Sequence, residues 1–380
     1  MFFFEENGVA NIGFFLTTMK YCNKNYFCSL ILNFIMEFTQ KLLNWYHRNK
    51  RDLPWRHTLD PYHIWLSEII LQQTRIDQGT PYYHRFLSVF PGVHDLANAS
   101  EQDVLKLWQG LGYYSRARNL HVTAKEIVRK YKRKFPDSYE DLIKLKGIGA
   151  YTAAAIASIA FHKPVPLVDG NVLRFLSRYF GIEDPVDSGK GKSEVLKKAQ
   201  RLMDPRDPGS FNQALMEFGA RKCIPLNPEC KSCIFKKECV AFILGMVDRL
   251  PHKAGKKSQR ERFFHFLVIH IRGKEGFYLY KREENDIWRN LYTFPLIETG
   301  KLCSLEELKA GDTWKEIFTD HQADHIKQSG TFRHILTHQI IQARFYEMET
   351  EKPFNRKWIF VCNSEIEKFP LPKLVEKYLK

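Results

Sequence analysis

The stretch WLSEIILQQT, from Trp65 to Thr74, places one carboxylate inside an otherwise apolar run. If the stretch is helical, Ile64 and Leu71 flank Glu68, since residues three and four positions apart share a helix face. Burial in such an apolar pocket would raise the pKa of the carboxyl and let it hold a proton near neutral pH. The alternative is a glutamate turned out to solvent.

A second carboxylate occurs in VPLVDGNVLRFLSR, where Asp169 separates an apolar run from a new helical run. Gly170 allows a sharp turn directly after it. An aspartate at this place is fully explained by capping of the following helix. The local pattern therefore leaves Asp169 open between a helix cap and a functional carboxylate.

Four of the eight cysteines lie in one short window with the spacing C-x6-C-x2-C-x5-C: Cys223, Cys230, Cys233 and Cys239. In a reducing compartment such a window indicates a metal site and not a disulfide scaffold. Four thiolates in one loop suit a [4Fe–4S] cluster, and they also suit tetrahedral zinc. The spacing alone does not decide between the two metals.

The turn Gly147-Ile148-Gly149 joins two helical runs in DSYEDLIKLKGIGAYTAAAIASIAF. Two glycines permit a tight turn and present backbone amides at the start of the second run, which suits a DNA phosphate. An element of this kind would grip the DNA backbone without reading sequence. A plain αα-hairpin is the alternative.

The composition indicates a polyanionic partner. The 380 residues include 58 basic and 43 acidic side chains, for a net charge of +15. Such a charge favours nucleic acid ahead of a membrane surface as the partner, and a soluble basic protein without a polyanionic partner is the alternative. No stretch reaches the ~18 apolar residues of a membrane span. We expect a cytoplasmic protein with reduced thiols, associated with the nucleoid if it is bacterial.

The chain divides by pattern into an extension, a helical region, a linker and an α+β region. Residues 1–35 are Phe-rich and are a poor signal or transit peptide, so translation is expected to begin at Met36 or the extension to be dispensable. Residues 36–244 are helical in pattern, 245–262 form a basic linker broken by Pro and Gly, and 263–380 are rich in β patterns. The basic linker residues, which either contact phosphates or are solvated, are Lys253, Lys256, Lys257, Arg260 and Arg262.

These pieces in this order resemble the helix–hairpin–helix DNA glycosylases, and among them the adenine DNA glycosylases. The segments that carry the resemblance are WLSEIILQQT, GLGYYSRARNL, LKGIGAYTAAAIAS, VDGNVLR and the cysteine window. The likeness is nearly continuous from Leu53 to Cys239. It returns more loosely in the second region, which resembles the Nudix-like domain of that family.

The resemblance implies a multi-domain fold. Residues 36–244 would form an all-α helix–hairpin–helix glycosylase domain with a [4Fe–4S] cluster loop. Within it, 63–170 would be the helical barrel part with the hairpin, and 36–62 plus 171–244 the second part with the cluster loop. Residues 263–380 would form a smaller α+β Nudix-like domain that recognises the lesion. FPLIETGKLCSLEELKAG lacks the paired glutamates that Mg²⁺-dependent hydrolysis needs, so this domain should bind without hydrolysing. A domain that only packs is the alternative.

The resemblance also implies a reaction, the removal of adenine mispaired with 8-oxoguanine after the adenine is flipped out of the helix. Glu68 matches the carboxyl that protonates the adenine ring, and Asp169 the carboxylate that stabilises the oxocarbenium-like sugar. Asn171 and Tyr151 match polar groups that orient the first of these carboxylates, Glu68, and the sugar. The endonuclease III branch has a lysine nucleophile where this chain has Tyr151, so a monofunctional enzyme that leaves an abasic site is expected. The positions that match the lining of the adenine pocket are Arg51, Trp55, Leu71 and Gln213.

Further matches concern the lesion and the gap left by the flipped base. Gln73 and Thr74 match residues that enter the duplex and contact 8-oxoguanine, with Leu111 and Tyr113 as the partner wedge. In the second domain, Leu336-Thr337-His338 stands where the family often has Phe-Ser-His. Thr337 retains a hydroxyl that can bond the lesion base, with His338 beside it.

The expected partner is double-stranded DNA containing adenine opposite 8-oxoguanine or guanine, bound by a monomer with no membrane association. One rival within the enzymes is a relative specific for thymine or oxidised pyrimidines. A rival of another class is a catalytically silent DNA-binding protein whose cluster senses redox state. The presence of both Glu68 and Asp169 speaks against this second rival.

Overall fold

The structure is a computed structural model that describes residues 24–380 apart from 256, 257 and 355. Residues 1–23, most of the predicted extension, lie outside the described residues, as do Lys256 and Lys257 of the linker. Phe34 and Ile35 pack against a buried core of helices, within a helix that begins at Lys24. The described end of the extension is therefore continuous with the first helix of the fold.

The helices account for most of the chain before residue 245. In chain order the described α-helices are α1 (Lys24–Asn49), α2 (Pro61–Leu71), α3 (Ile76–Val89), α4 (Val93–Asn98), α5 (Glu101–Trp108), α6 (Ser115–Lys130), α7 (Tyr139–Leu142), α8 (Ala150–Phe161), α9 (Gly170–Phe180), α10 (Gly189–Leu202), α11 (Pro208–Arg221), α12 (Val240–Ile243), α13 (Leu305–Ala310), α14 (Asp312–Ile317) and α15 (Lys373–Leu379). Short 3₁₀ turns cover Pro54–Arg56, Cys230–Ser232 and Asn363–Lys368.

In the part of the chain that the structure describes, the strands all lie in the C-terminal region. They are β1 (Arg260–Ile271), β2 (Phe277–Lys281), β3 (Tyr292–Thr293), β4 (Leu296–Thr299), β5 (Asp324–Gln328), β6 (Phe332–Ile335), β7 (Gln339–Thr350) and β8 (Ile359–Val361). One sheet has the order β4-β1-β7-β5, with β6 also paired to β7, and a smaller sheet has the order β3-β2-β8. The central pair β1 and β7 is parallel, from Arg260 opposite Gln339 to Ile271 opposite Thr350. An all-α region followed by an α+β region confirms the predicted fold class.

The chain forms two compact units, and each unit takes two separate segments of the sequence. Of the described residues, the first unit comprises 24–69 together with Tyr131–Gly255. The second comprises Ile70–Lys130 together with the described residues from 258 to 380. Helices α3 to α6 therefore belong to the same compact unit as the strands.

The core of the first unit is an aromatic cluster built on α1, α9 and α11. The Phe38 ring lies 4.7 Å from that of Phe235, and the Phe175 ring lies 4.6 Å from that of Phe218. Each fully buried phenylalanine contributes about 1.5–3 kcal/mol to folding. Phe235 stands between the third and fourth cysteines of the window and is 1% exposed. The cysteine loop is thus fastened directly to the core.

The predicted linker is shorter in the structure than in the sequence pattern. Strand β1 begins at Arg260, and the Arg262 guanidinium is 8% exposed. It donates hydrogen bonds of 2.6–2.8 Å to the carboxylates of Asp286 and Glu298. The suggestion that Arg262 contacts DNA phosphates or is simply solvated is therefore wrong, because its donors are already used inside the second unit.

Within the described residues, no helix combines the length and the apolar character that crossing a membrane requires.

Candidate active site

Glu68 is buried in the structure. It lies on α2, a helix of mostly apolar side chains, and is 8% exposed. Ile64 and Ile69 on the same helix are 2% and 3% exposed. Of the two interpretations that the sequence allowed for this carboxylate, the apolar pocket is the one that the structure contains.

Burial raises the pKa of Glu68 to about 7, because the ionised form loses its hydration. A hydrogen bond with the Tyr151 hydroxyl opposes this rise, the negative charge of Asp169 adds to it, and the positive charge of Arg56 opposes it. Tyr151 lies in the first turn of α8, and burial beside Glu68 raises its own pKa well above the usual value. Near neutral pH the Glu68 carboxyl can therefore act as a proton donor.

Asp169 is the N-cap of α9. Its Oδ1 accepts hydrogen bonds from the backbone amides of Asn171 (2.9 Å) and Val172 (2.8 Å). Burial raises its pKa, whereas these bonds and one from the Asn171 side chain lower it. The interpretation of Asp169 as a helix cap is thus confirmed. The electrostatic effect of Asp169 on the pKa of Glu68 shows that the same carboxylate also acts on the buried acid.

A chain of hydrogen bonds connects Asp169 to the cysteine loop. The Asn171 amide donates to Asp169 Oδ2 at 2.7 Å and accepts from the Arg174 guanidinium at 3.0 Å. Arg174 also donates to the Cys223 carbonyl oxygen at 2.8 Å. The Asn171 side chain therefore orients Asp169 in this structure. A Cβ at Gly219 would lie 2.6 Å from the Asn171 carbonyl oxygen, so only glycine lets α11 approach this turn.

A buried ion cluster that the sequence patterns did not predict lies close enough to Glu68 to affect its pKa. Glu217 is fully buried on α11, and its carboxylate accepts bonds of 2.7–2.8 Å from the guanidinium groups of Arg51 and Arg56. Burial alone would raise the pKa of Glu217, but these bonds lower it to about 2. The burial of Glu217 could have been predicted in the same way as that of Glu68, because Glu217 is a single acid among the apolar residues of ALMEFG.

The structure places three of the four predicted pocket residues in the first unit. Arg51 is half-buried and held by Glu217, and Trp55 is 9% exposed in the 3₁₀ turn. Gln213 accepts a hydrogen bond of 3.3 Å from the Tyr46 hydroxyl. Leu71, the fourth, is half-buried at the last residue of α2.

The hairpin has the form that the glycines predict. Gly147 has a φ of 80°, in the left-handed region that favours glycine, and Gly149 is the N-cap of α8. Nothing lies within 4 Å of a Cβ built at Gly149, so a ligand can approach the backbone there. The first run of the predicted pair is short, since α7 has one turn and is followed by further turns.

The predicted wedge and lesion residues fall in the second unit. Gln73 is exposed with a φ of 56°, and the Thr74 hydroxyl accepts a bond of 3.4 Å from Arg116. Leu111 is 7% exposed, which contrasts with a side chain that enters DNA. Tyr113 is 39% exposed with a φ of 47°.

Two of these residues meet across a long stretch of sequence. The Tyr113 hydroxyl hydrogen-bonds the Thr337 hydroxyl. Thr337 and His338 are exposed in the turn between β6 and β7. The structure thus brings the predicted wedge tyrosine to the predicted lesion reader.

The four window cysteines line one cavity, together with Arg178 and Lys222. None is in a disulfide. Among the residues that the structure describes, no three His, Cys, Asp or Glu side chains are arranged to hold a single metal ion. Burial raises the pKa of Cys233 to about 11 and that of Cys239 to about 12, so these thiols need a positive charge to ionise.

Two family matches and a solved structure identify the class of protein to which this chain belongs. Residues 66–205 match the family described as HhH-GPD superfamily base excision DNA repair protein, and 266–380 match the NUDIX domain. The solved structure of a thermostable thymine-DNA glycosylase is 29% identical, with a TM-score of 0.50, over 55% of this chain and 96% of that chain. The fold is that of a helix–hairpin–helix base excision repair protein followed by a Nudix-like domain.

Sequence relatives identify the family. The adenine DNA glycosylase of Buchnera aphidicola subsp. Acyrthosiphon pisum (strain APS) is 36% identical over 90% of this chain and 97% of its own length. The adenine DNA glycosylase of Arabidopsis thaliana is 38% identical over 78% of this chain and 54% of its own length. The chain belongs to the adenine DNA glycosylase family, a family of DNA N-glycosylases.

The raised pKa of Glu68 predicts how its replacement changes stability with pH. Between about pH 4.5 and 7 the carboxyl is protonated when folded and ionised when unfolded, so folding loses stability as pH rises through this window. The full cost is about 3 kcal/mol above pH 7. Glu68→Gln, which mimics the protonated acid, should raise the melting temperature at about pH 8 and have a smaller effect at about pH 5.

Thermal unfolding of the variant and the wild type at both pH values measures this difference. Glu183→Gln, at an exposed position of the same unit, is the matched control. An equal effect of Glu68→Gln at both pH values would contradict a raised pKa at Glu68.

Proposed function

We propose that this protein hydrolyses adenine from duplex DNA where adenine lies opposite 8-oxoguanine, and also opposite guanine, and leaves an abasic site. The observation that carries the proposal is the buried Glu68 carboxyl with a pKa of about 7, beside Tyr151 and Asp169. Adenine needs protonation on its ring to become a leaving group, and a carboxyl half-protonated near pH 7 can supply that proton. The names of the relatives, adenine DNA glycosylase, agree with this base.

In the proposed reaction Glu68 gives its proton to a ring nitrogen of the flipped adenine. The bond between the sugar carbon and the base then breaks, and adenine leaves with the bonding electron pair. Asp169 lies near enough to act electrostatically on Glu68, and its negative charge stabilises the positive sugar. Water adds to the sugar carbon, and its proton returns to the Glu68 carboxylate.

The absence of an amine at position 151 supports hydrolysis without strand cleavage. Cleavage by β-elimination needs an amine that forms a covalent bond with the sugar. Tyr151 instead offers a hydroxyl, which is engaged with Glu68 and also lies 3.4 Å from the sulfur of Met216. We therefore propose that Tyr151 orients the acid and forms no covalent intermediate.

Recognition of the lesion is proposed for the second unit. Tyr113 and Thr337 are exposed and in contact, so both can present hydroxyl groups to one base. Gln73 and Thr74 would fill the gap left by the flipped adenine, with Leu111 behind Tyr113. The net charge of +15 and the Gly147–Gly149 hairpin suit the DNA backbone. We also propose that the protein acts as a monomer. Its glycosylase domain would cover residues 36–244, and its lesion-recognition domain would begin with β1 at Arg260.

A thymine- or oxidised-pyrimidine-specific enzyme is the nearest rival, and it has support from the thymine-DNA glycosylase structure. That structure matches 55% of this chain, whereas the Buchnera adenine enzyme matches 90%. The additional matched length includes the Nudix-like domain. This longer match supports adenine as the base that is released.

The direct test uses a duplex with one adenine opposite 8-oxoguanine, incubated with enzyme and then divided into two halves. Only the half heated in alkali should show a strand break, because base release alone leaves an abasic site that alkali cleaves. Glu68→Gln should release no adenine and still bind the duplex, since the amide keeps the shape and cannot donate the proton. A break without alkali would contradict the monofunctional mechanism, and no break in either half would contradict the choice of adenine.

We also propose a [4Fe–4S] cluster bound by Cys223, Cys230, Cys233 and Cys239. Four free thiols around one cavity suit a cluster in which each iron takes one thiolate. The nearby positive charge of Arg178 would stabilise the thiolates, and its guanidinium lies 3.6 Å from Cys223 Sγ. When bound, the cluster would cross-link the loop that contacts Arg174 and, through it, Asn171 and Asp169.

The purified protein should contain four irons and no zinc by elemental analysis, with the broad visible absorption of an iron–sulfur cluster. Cys233→Ser should lower the iron content and the melting temperature. Cys362→Ser, at an exposed cysteine outside the window, should change neither. One zinc ion for each chain would contradict the cluster.

A further inference from the structure

The loop from Gly110 to Tyr114, between α5 and α6, presents the proposed lesion contact Tyr113. Its backbone is unusual, because Gly110, Gly112 and Tyr113 all have positive φ values of 96°, 73° and 47°. A non-glycine residue in the left-handed region is strained and persists only when its surroundings hold it. The loop therefore needs contacts that keep Tyr113 in place.

The C-terminal segment 369–376 supplies such contacts at both ends of the loop. After Tyr113, the Tyr114 side chain is 6% exposed and its hydroxyl donates to the Leu371 carbonyl oxygen at 3.1 Å. Before the loop, the Gln109 amide donates to the Glu376 carboxylate. The Gln109 side-chain oxygen accepts from the Leu371 amide at 3.4 Å.

Three more bonds complete this arrangement within the second unit. Lys106 donates to the Phe369 carbonyl oxygen at 3.3 Å and to the Gln109 side-chain oxygen at 3.1 Å. The Tyr82 hydroxyl donates to the Gln109 carbonyl oxygen at 2.7 Å. Side chains before and after Tyr113 thus hydrogen-bond the same C-terminal segment, 369–376. Tyr113 itself hydrogen-bonds Thr337.

We infer that Tyr114 and Gln109 are positioning residues for lesion discrimination. Through Leu371 and Glu376 they hold the loop so that the Tyr113 hydroxyl stays beside Thr337. The inference rests on the proposed function, because it concerns how that site distinguishes 8-oxoguanine from guanine opposite the adenine. Neither residue contacts the base in this scheme. If the loop is loosened, the rate of adenine release opposite 8-oxoguanine should fall more than the rate opposite guanine.

The first test is Tyr114→Phe, which removes one hydroxyl and keeps the buried ring. Single-turnover base release is measured with adenine opposite 8-oxoguanine and opposite guanine, and the ratio of the two rates is compared with wild type. The Tyr114 hydroxyl donates to the Leu371 carbonyl oxygen and also accepts from the Gly110 amide at 3.4 Å. Its loss should lower this ratio about fivefold, mainly through the 8-oxoguanine substrate. An unchanged ratio would overturn the inference.

Tyr292→Phe is the matched control. Its hydroxyl donates to Gln102 Oε1 at 3.4 Å, so it also joins the Nudix-like region to α5. The substitution removes this bond and keeps the ring that packs on Phe369. The control should keep the wild-type ratio. If both variants lower the ratio equally, any weakening of this unit is sufficient and the specific role of Tyr114 is wrong.

A charge exchange tests Gln109 independently. Gln109→Glu places two carboxylates against each other and should lower the ratio. Adding Glu376→Gln restores a donor and an acceptor in the reverse direction and should recover most of the loss. A double variant no better than Gln109→Glu would overturn the inference. Melting temperatures of all variants separate a loss of folding from a loss of discrimination.

The rates measured for the wild type distinguish a failure of this inference from a failure of the proposed function. A wild type that releases no adenine would remove both. A wild type that releases adenine equally well opposite 8-oxoguanine and opposite guanine would remove the inference and leave adenine release intact. A wild type with the preference, and variants that keep it, would remove the positioning role alone and leave the proposed function intact.

Discussion

The removal of the Glu68 carboxyl from water is the interaction on which the site depends. Burial favours the protonated acid, and the negative charge of Asp169 favours it further. The Tyr151 hydroxyl and the positive charge of Arg56 favour the carboxylate. These opposed effects leave the pKa at about 7, where the acid can lose and regain a proton near neutral pH. A fully exposed glutamate would already be ionised there, and one without Tyr151 would hold its proton more tightly.

The surroundings of Glu68 come from distant parts of the chain. Arg56 is held by Glu217, a carboxylate of α11 that stays ionised because two guanidinium groups bond it. On the other side, Asp169 is held by the amides of α9 and by Asn171, which Arg174 connects to the cysteine loop. The fold thus fixes the charges around the acid through helix ends and paired ions.

Sequence patterns predicted features whose controlling interactions are local, such as the cap at Asp169, which precedes a helix, and the hairpin, which has two glycines. The apolar helical neighbours of Glu68 indicated burial as one of two interpretations and did not exclude exposure to solvent. Sequence patterns failed where partners are distant in sequence. Nothing in the residues next to Glu217 indicates that it pairs with Arg51 and Arg56. Likewise, the neighbours of Arg262 in the sequence do not indicate its burial between Asp286 and Glu298. The grouping of Ile70–Lys130 with the C-terminal region arises from contacts such as that between Tyr114 and Leu371.

The measurement that tests the role of Glu68 most directly is the pH dependence of adenine release in single turnovers, for wild type and Tyr151→Phe. A protonated Glu68 predicts a rate that falls as pH rises through about 7. Removal of the Tyr151 hydroxyl takes away a bond that favours the carboxylate, so the fall should move to higher pH. A rate that rises with pH, or a midpoint that is the same in both proteins, would contradict a buried Glu68 acid tuned by Tyr151.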